Sequence, residues 1–451
     1  MTRIRTRWSR LQLPNTAAAL AALLLLPAVA LLVWPRPQAV GLARLLGQAQ
    51  LMQSFAGASS RPVPGLWRQR LGRSAAALWA RQQGTWWQFW GAHGDAGAYL
   101  VLPAVNLSGL SSRQLSSPPL LVDDMAVFAA DPLSRQVLAD RLRGVPRPQR
   151  GLEQRCLLQL RSPQSVYWSA AGLGALAGPV APLLQRLQQG CFSLQLDGTN
   201  LALAGEAAAS EGVLGAPADA VLSLARRPLP DAVLLQLQGP SLDVLLQGLL
   251  SRQLVREPLA ERYGISEPQL ALLRGLPFVL RLRRQSSGPF QAALELELAP
   301  RARDRAAWAR LLAGLREPLL QQGLQEPSPR LQANTPRLGA ISFPSATWSN
   351  DNGAVIGGWL WRLPAGPGFE PRLLLYLGPT PSPGQASASD AGPGAPLQLR
   401  ARPRELGRLG LWPGAFPALV AQADQVELLA SGGAQQPLSL LKGRLVLSRF
   451  R

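Results

Sequence analysis

The feature that most constrains this chain is an uncharged apolar run close to its N-terminus. Residues 16–34 contain no charged side chain, and residues 1–15 before them carry four arginines and no acid. At about 1.5 Å per helical residue, this run spans roughly 28 Å, close to the hydrocarbon thickness of a bilayer. The run therefore predicts a transmembrane signal-anchor helix, and the basic flank predicts a cytoplasmic N-terminus with an exported body.

A cleaved signal peptide is the alternative interpretation of the same segment. Pro27 closes a short apolar core, and Ala28-Val29-Ala30 has the small-x-small form of a cleavage site. Under either interpretation the chain from about residue 36 onward lies outside the cytoplasm, in a periplasm or an equivalent lumen.

The net charge of +20 at pH 7 narrows the choice of partners. For an exported domain the available anionic partners are lipid headgroups of the membrane or an acidic envelope polymer. Nucleic acid is not expected as a partner, because it would require a cytoplasmic body. Of the 46 basic residues only one, Lys442, is a lysine.

Cysteine usage fits an oxidising compartment. The only two cysteines, Cys156 and Cys191, open the similar runs CLLQL and CFSLQL. A disulfide between them would close a loop of about 35 residues and contribute roughly 3–4 kcal/mol to stability. Two buried free thiols acting as small apolar residues are the alternative.

Strand-like and helix-like segments recur in a fixed order, which predicts an α+β body of repeated β-α-β-β units with a mainly antiparallel sheet. The first unit begins at residues 166–170 and ends in a hairpin that turns at Asp197-Gly198; the second and third begin near residues 232 and 397. The predicted organisation is a basic flank (1–15), a transmembrane helix (16–34), a helical Trp-rich juxtamembrane region (36–95), an α+β body (96–378), a disordered loop or linker (379–396) and a C-terminal unit packed on the body (397–451).

Two surface hypotheses follow from local composition. Trp86, Trp87 and Trp90 lie in one short segment, where they would serve as core residues, as membrane-interface aromatics or as platforms that stack on a sugar or partner. Arg281, Arg283 and Arg284 give one strand a basic face. This face is either solvated or turned toward an anionic partner.

The motifs that would signal catalysis are weak. Gly172, Gly174 and Ala177 fit the spacing of a dinucleotide-binding loop, but Asp197 is followed by a turn rather than by further α/β structure, so we predict a Gly/Ala-rich turn packed on the sheet. Ser439 and Lys442 match S-x-x-K without its companion motifs. His93 is the only histidine, and no cysteine or histidine spacing suits zinc.

These observations predict a single-pass, membrane-anchored extracytoplasmic protein with a non-catalytic binding, scaffolding or envelope-organising role. No cofactor, no metal and no enzymatic activity are expected. Two alternatives stay open: a carrier of a lipid or apolar ligand, and an envelope glycan hydrolase that uses paired carboxylates.

Overall fold

The computed structural model describes residues 38–447, with gaps at 58–59, 92–96, 109–114, 116, 145–147, 178–183, 185, 211–212, 214–221, 225–227, 244–252, 287–289, 327–336, 339–340, 343–344, 363–369, 382–395, 413–417 and 432–436. The described α-helices are α1 (Leu42–Leu46), α2 (Gly65–Leu71), α3 (Ala75–Arg81), α4 (Pro132–Leu142), α5 (Leu152–Leu160), α6 (Ala170–Ala177), α7 (Gln253–Tyr263), α8 (Glu267–Leu273), α9 (Arg305–Gly314), α10 (Arg316–Gln321), α11 (Pro403–Arg408) and α12 (Ala418–Ala421).

The described strands are β1 (Leu51–Ala56), β2 (Thr85–Trp90), β3 (Tyr99–Pro103), β4 (Leu120–Val122), β5 (Met125–Phe128), β6 (Ser165–Trp168), β7 (Gln189–Asp197), β8 (Asn200–Ala208), β9 (Val233–Gly239), β10 (Phe278–Arg284), β11 (Ala292–Leu298), β12 (Arg337–Leu338), β13 (Ile341–Ser342), β14 (Ala346–Ser349), β15 (Val355–Arg362), β16 (Arg372–Leu377), β17 (Leu397–Ala401), β18 (Ala423–Ala430) and β19 (Leu438–Leu447). All except β12 and β13, which pair with each other, belong to one sheet of seventeen strands.

The pairings place the strands in the order β4-β5-β3-β2-β1-β6-β7-β8-β19-β18-β17-β9-β10-β11-β16-β15-β14, and each of these pairings is antiparallel. The predicted α+β class with a mainly antiparallel sheet is therefore confirmed.

Within this sheet the order strand, helix, strand, strand occurs four times: at β1-β2-β3, β6-β7-β8, β9-β10-β11 and β17-β18-β19. Neighbouring units are joined by pairing between strands that hold the same position in each unit. First strands pair in β1–β6 and β9–β17, and last strands pair in β8–β19. The C-terminal unit, predicted to pack on the body, is instead inserted into the sheet between β8 and β9.

One face of the sheet, which we call the crossover face, carries the connecting helices of the four units. Strand alternation places apolar side chains there, and helices α2 and α3, α6, α8 to α10, and α11 pack on them in successive clusters. We call the other side of the sheet the opposite face. There, helices α1, α4 and α5 cover only β1–β3, β5–β7 and their neighbours. The opposite face of the remaining strands is mainly polar, with Val279, Leu374 and Leu429 among its apolar residues.

The backbone confirms the predicted turn between β7 and β8 and shows how two helices begin. The β7–β8 hairpin turns at Asp197-Gly198, and Gly198 has a φ of +60°, which a residue without Cβ adopts at little cost. Helix α4 begins after Asp131, whose carboxylate accepts hydrogen bonds from the backbone and hydroxyl of Ser134. These hydrogen bonds lower the pKa of Asp131. Ser266 and Gln269 form a capping box at the start of α8.

Two local predictions are wrong. The region 36–95, predicted as helical, contributes strands β1 and β2, because residues 51–56 pair with both β2 and β6 instead of extending α1. Residues 170–177, predicted as a turn, form helix α6. A Cβ at Gly172 would overlap the backbone oxygen of Gln50. The absence of a side chain here therefore lets α6 pack directly against the backbone at Gln50.

The predicted transmembrane segment, 16–34, lies outside the described residues. Across the part of the chain that the structure describes, no helix combines the length and the apolar character needed to cross a bilayer.

Candidate functional site

A groove of about 720 Å³ lies on the opposite face, where β7, β8 and β19 meet helix α5. Its floor is low because small residues occupy β8: Ala204 pairs with Ser193 on one side and with Lys442 on the other. Helix α5 forms one wall, and Leu222, from the connection between β8 and β9, forms another part of the rim. The volume is within the usual range of about 300–1,000 Å³ for ligand sites.

Polar groups from three elements converge on this groove. Arg155 of α5 donates to Glu206 of β8 at 2.6 Å, and the Gln159 amide donates to the backbone oxygen of Ala204 at 3.2 Å. The Ser193 hydroxyl donates to the same oxygen at 3.3 Å. The lining thus combines hydrogen-bonding groups with one fixed ion pair, as ligand pockets commonly do.

The only lysine of the chain lies in this groove. Lys442 is exposed, and its Nζ donates to the backbone oxygen of Leu222 at 3.0 Å. No carboxylate among the described residues forms an ion pair with it. An ammonium group has three donors, so two remain for a ligand, and the groove carries a net positive charge.

The S-x-x-K spacing of Ser439 and Lys442 does not form a catalytic dyad. Both residues lie on β19, three positions apart, so strand alternation sends their side chains to opposite faces. Ser439 is buried on the crossover face, whereas Lys442 faces the groove. Lys442 was not predicted as a site residue, although a single lysine among 45 arginines was a signal that could have pointed to it.

Beyond Lys442 the opposite face continues as what we call the polar ladder, a row of residues in register across nine strands. From β19 to β14 the row consists of Arg444, Glu427, Arg400, Gln236, Arg281, Glu295, Tyr376, Gly358 and Thr347. Opposite charges alternate along much of it, and directly opposed pairs of this kind stabilise a sheet.

A chain of amide side chains links Gln236 of β9 to Glu427 of β18. Gln236 donates to Gln238 at 2.9 Å, Gln238 donates to Gln398 at 2.8 Å, and Gln398 donates to Glu427 at 2.8 Å. Arg444 also donates to Glu427 at 3.3 Å. Burial lowers the pKa of Arg400, although nearby Glu427 opposes this shift.

The arginines of the predicted basic strand, for which a solvated face and an anionic partner were the alternatives, form ion pairs with carboxylates of the protein. Arg281 donates to Glu297 at 3.0 Å, Arg283 donates to Glu295 at 3.5 Å, and Arg284 pairs with Glu405. The Arg281 side chain is only 5% exposed. The alternating strand was correctly predicted, but these side chains are not a free basic surface.

Glu297 is the centre of this ion-pair cluster. Arg372 lies 2.9 Å from its carboxylate and Arg362 lies 3.8 Å away, in addition to Arg281. Burial lowers the pKa of Arg362, and Glu297 and Glu295 partly counteract that effect. One nitrogen of Arg281, Nη2, is buried without a hydrogen-bond partner among the described residues.

Two carboxylates lie near each other here, as a glycan hydrolase would require. Glu295 and Glu297 project from the same face of β11, and both are buried. Each carboxylate is held in an ion pair with an arginine of the protein, at 3.0 Å for Arg281–Glu297 and 3.5 Å for Arg283–Glu295. The cavity beside Glu297 measures about 10 Å³, which is room for one water and not for a sugar ring.

The other predicted site residues are the two cysteines and three tryptophans. Cys156 of α5 and Cys191 of β7 form a disulfide with an S–S distance of 2.04 Å, and Cys191 also lines the groove. Trp86 and Trp87 are buried: Trp86 packs edge-on against Trp67 and Trp79, and Trp87 donates to the backbone of Leu160. Their burial is a correction of the interface hypothesis, and only Trp90 keeps partial exposure.

His93 and residues 178–183, which follow the Gly-rich motif, lie outside the described residues. Within the described part of the chain, no group of three or more metal-ligating side chains could hold an ion. No protein-family model, no curated protein and no solved structure is similar to this chain.

Proposed function

We propose that this chain is an exported, membrane-tethered binding protein that holds an anionic ligand in the groove around Lys442 and catalyses no reaction. The observation that carries the proposal is the groove itself. It combines ligand-sized volume, convergent donors and an ammonium group without a carboxylate partner among the described residues.

The chemistry of the described residues supports binding rather than catalysis. Ser439 and Lys442 lie on opposite faces of β19, and the buried carboxylates Glu295 and Glu297 are engaged by arginines. Donors that are fixed by the sheet and by α5 can hold a carboxylate or a phosphate without further rearrangement.

The proposed compartment rests on two features. The apolar run 16–34 behind a basic flank has the character of a signal anchor. The Cys156–Cys191 disulfide is buried in the core beneath α5. Disulfides persist in oxidising, extracytoplasmic compartments and are rare in the cytosol.

Because Lys442 is the only lysine, amine labelling reports the topology of the body. We expect a membrane-impermeant amine-reactive ester to acylate Lys442 in intact spheroplasts as fully as after lysis. Lys442→Arg is the matched control and should remove the body label. Labelling that requires lysis would place the body in the cytoplasm and contradict the proposal; an N-terminus beginning near Leu31 would indicate a cleaved signal peptide instead of an anchor.

The ligand class is tested by NMR of the full chain grown with ¹³Cε-labelled lysine, which marks Lys442 alone and leaves the three N–H donors of its ammonium group in place. We expect the Lys442 resonance, identified by its loss in Lys442→Arg, to shift on titration with glycerol 3-phosphate, as a soluble headgroup, or with trigalacturonate, as an acidic polymer. Binding measured by calorimetry should weaken at least about tenfold in Lys442→Gln, because a hydrogen bond to a charged group contributes about 1.5–3 kcal/mol.

Arg143→Gln provides the matched control for that loss, since Arg143 is an exposed cation that directly follows α4 and does not line the groove. This variant should bind like the wild type. If neither anion shifts the Lys442 resonance at millimolar concentration, or if Lys442→Gln and Arg143→Gln behave alike, the groove is not an anion site.

A further inference from the structure

A second cavity, on the crossover face, has a different chemical character. It measures about 320 Å³ and lies between strands β11, β14, β15 and β16 and the helix pair α9–α10. Its walls include Leu315, Leu319, Trp348, Ile356, Trp359 and Leu375. Apart from the Tyr376 phenol, the lining residues carry hydrocarbon, indole or no side chain, so the cavity favours an apolar ligand.

A glycine creates much of this space. On the crossover face, Gly357 of β15 stands between Trp348 of β14 and Leu377 of β16. A Cβ at this position would overlap the backbone oxygen of Tyr376. Because no side chain rises from Gly357, the sheet leaves a hollow beneath α10 that its neighbours do not fill.

The cavity opens to solvent at the end of β16. Leu377 lines it and is nevertheless 55% exposed, and Leu320 on α10 is also exposed. Large exposed leucines beside an apolar cavity are typical of a binding surface. At about 30 Å³ for each water-sized group, the cavity has room for roughly ten such groups.

The helices above the cavity are cationic. Residues 301–326 contain five arginines and three acidic residues. Arg310 is exposed on α9 and has no ion-pair partner among the described residues, whereas Arg316 pairs with Glu326. An apolar cavity beneath a cationic surface is complementary to a molecule with a hydrocarbon chain and an anionic head.

We propose that this cavity binds the acyl chain of a single-chain anionic lipid, with the chain under α10 and the head group outside, beside the arginines of α9 and α10. The site is separate from the groove of Lys442 and goes beyond the proposed function. The ligands that fit this description have a hydrocarbon chain of about ten carbons that ends in a carboxylate or a phosphate.

The test is calorimetry on the full chain held in an amphipathic polymer without detergent. Decanoate and decyl phosphate serve as probes of the two head groups, and decyltrimethylammonium has the same chain with the opposite charge. Because each buried methylene changes affinity by a factor of about four, decanoate should bind roughly two hundred times more tightly than hexanoate. It should also bind at least about tenfold more tightly than the cation.

Variants locate the site. Leu319→Trp should fill the cavity and weaken decanoate binding at least about tenfold, whereas Leu133→Trp, at an exposed leucine of α4, should not. Lys442→Gln should bind decanoate like the wild type, which separates this proposal from that of the groove. Equal affinities for hexanoate and decanoate in the wild type, or equal affinities for the anionic and cationic ligands, would overturn it even if Leu319→Trp fails to fold.

Discussion

Replacing Glu297 by glutamine is expected to lower the free energy of unfolding by about 3–5 kcal/mol. The carboxylate is buried and pairs with Arg281, Arg362 and Arg372. Its removal leaves the Arg281 charge, 95% enclosed, without its counter-ion. The measurement is urea unfolding of the variant and the wild type under identical conditions.

Glu267→Gln is the matched control for that change. Glu267 also contacts two arginines, Arg256 and Arg274, but its side chain is 49% exposed. Exposed ion pairs contribute up to about 1 kcal/mol, so this variant should lose little stability. Adding Arg281→Met to Glu297→Gln should restore part of the loss. If Glu297→Gln costs no more than Glu267→Gln, the buried network does not stabilise the sheet.

Removal of the disulfide is expected to cost about 3–4 kcal/mol, since Cys156 and Cys191 are 35 residues apart and the cross-link restricts the unfolded chain. The Cys156→Ala/Cys191→Ala double variant and the reduced wild type should both show this loss in urea unfolding. Reductant should have no effect on the double variant, which is the control for nonspecific reduction effects.

The same change should weaken ligand binding in the groove. The disulfide joins α5, which supplies Arg155 and Gln159, to β7, which supplies Ser193. Without it, one wall of the groove is no longer fixed to the floor. Equal stability of the oxidised and reduced proteins would show that the cross-link does not support this part of the fold.

Local features of the fold could be predicted because neighbouring residues determine them. The Asp197-Gly198 turn, the Asp131 cap and the Ser266–Gln269 capping box each depend on a few consecutive residues. The strand order could not be predicted, because pairings such as β8–β19 join segments more than two hundred residues apart.

Among the ion pairs of the opposite face, those between strands that follow each other in the chain could be predicted from the sequence, and those that depend on the strand order could not. Arg281 and Glu295 alternate with leucines on two strands that follow each other closely in the chain. Their pairing could therefore be predicted from the sequence. Arg362 and Arg372 reach Glu297 from β15 and β16, whose order in the sheet no local pattern indicates. The groove of Lys442 likewise depends on β19 pairing with β8.

The place of the last unit in the sheet has a consequence for how the chain is made. Strands β8 and β9 follow each other in the chain, yet β17, β18 and β19 lie between them. Because residues 397–447 are synthesised after β8 and β9, the earlier part of the chain carries two strands with unpaired edges until β17, β18 and β19 are made. Such edges are prone to pair with other chains. The newly made chain therefore passes through an interval, ended only when residues 397–447 pair with β8 and β9, during which it depends on protection from its own copies.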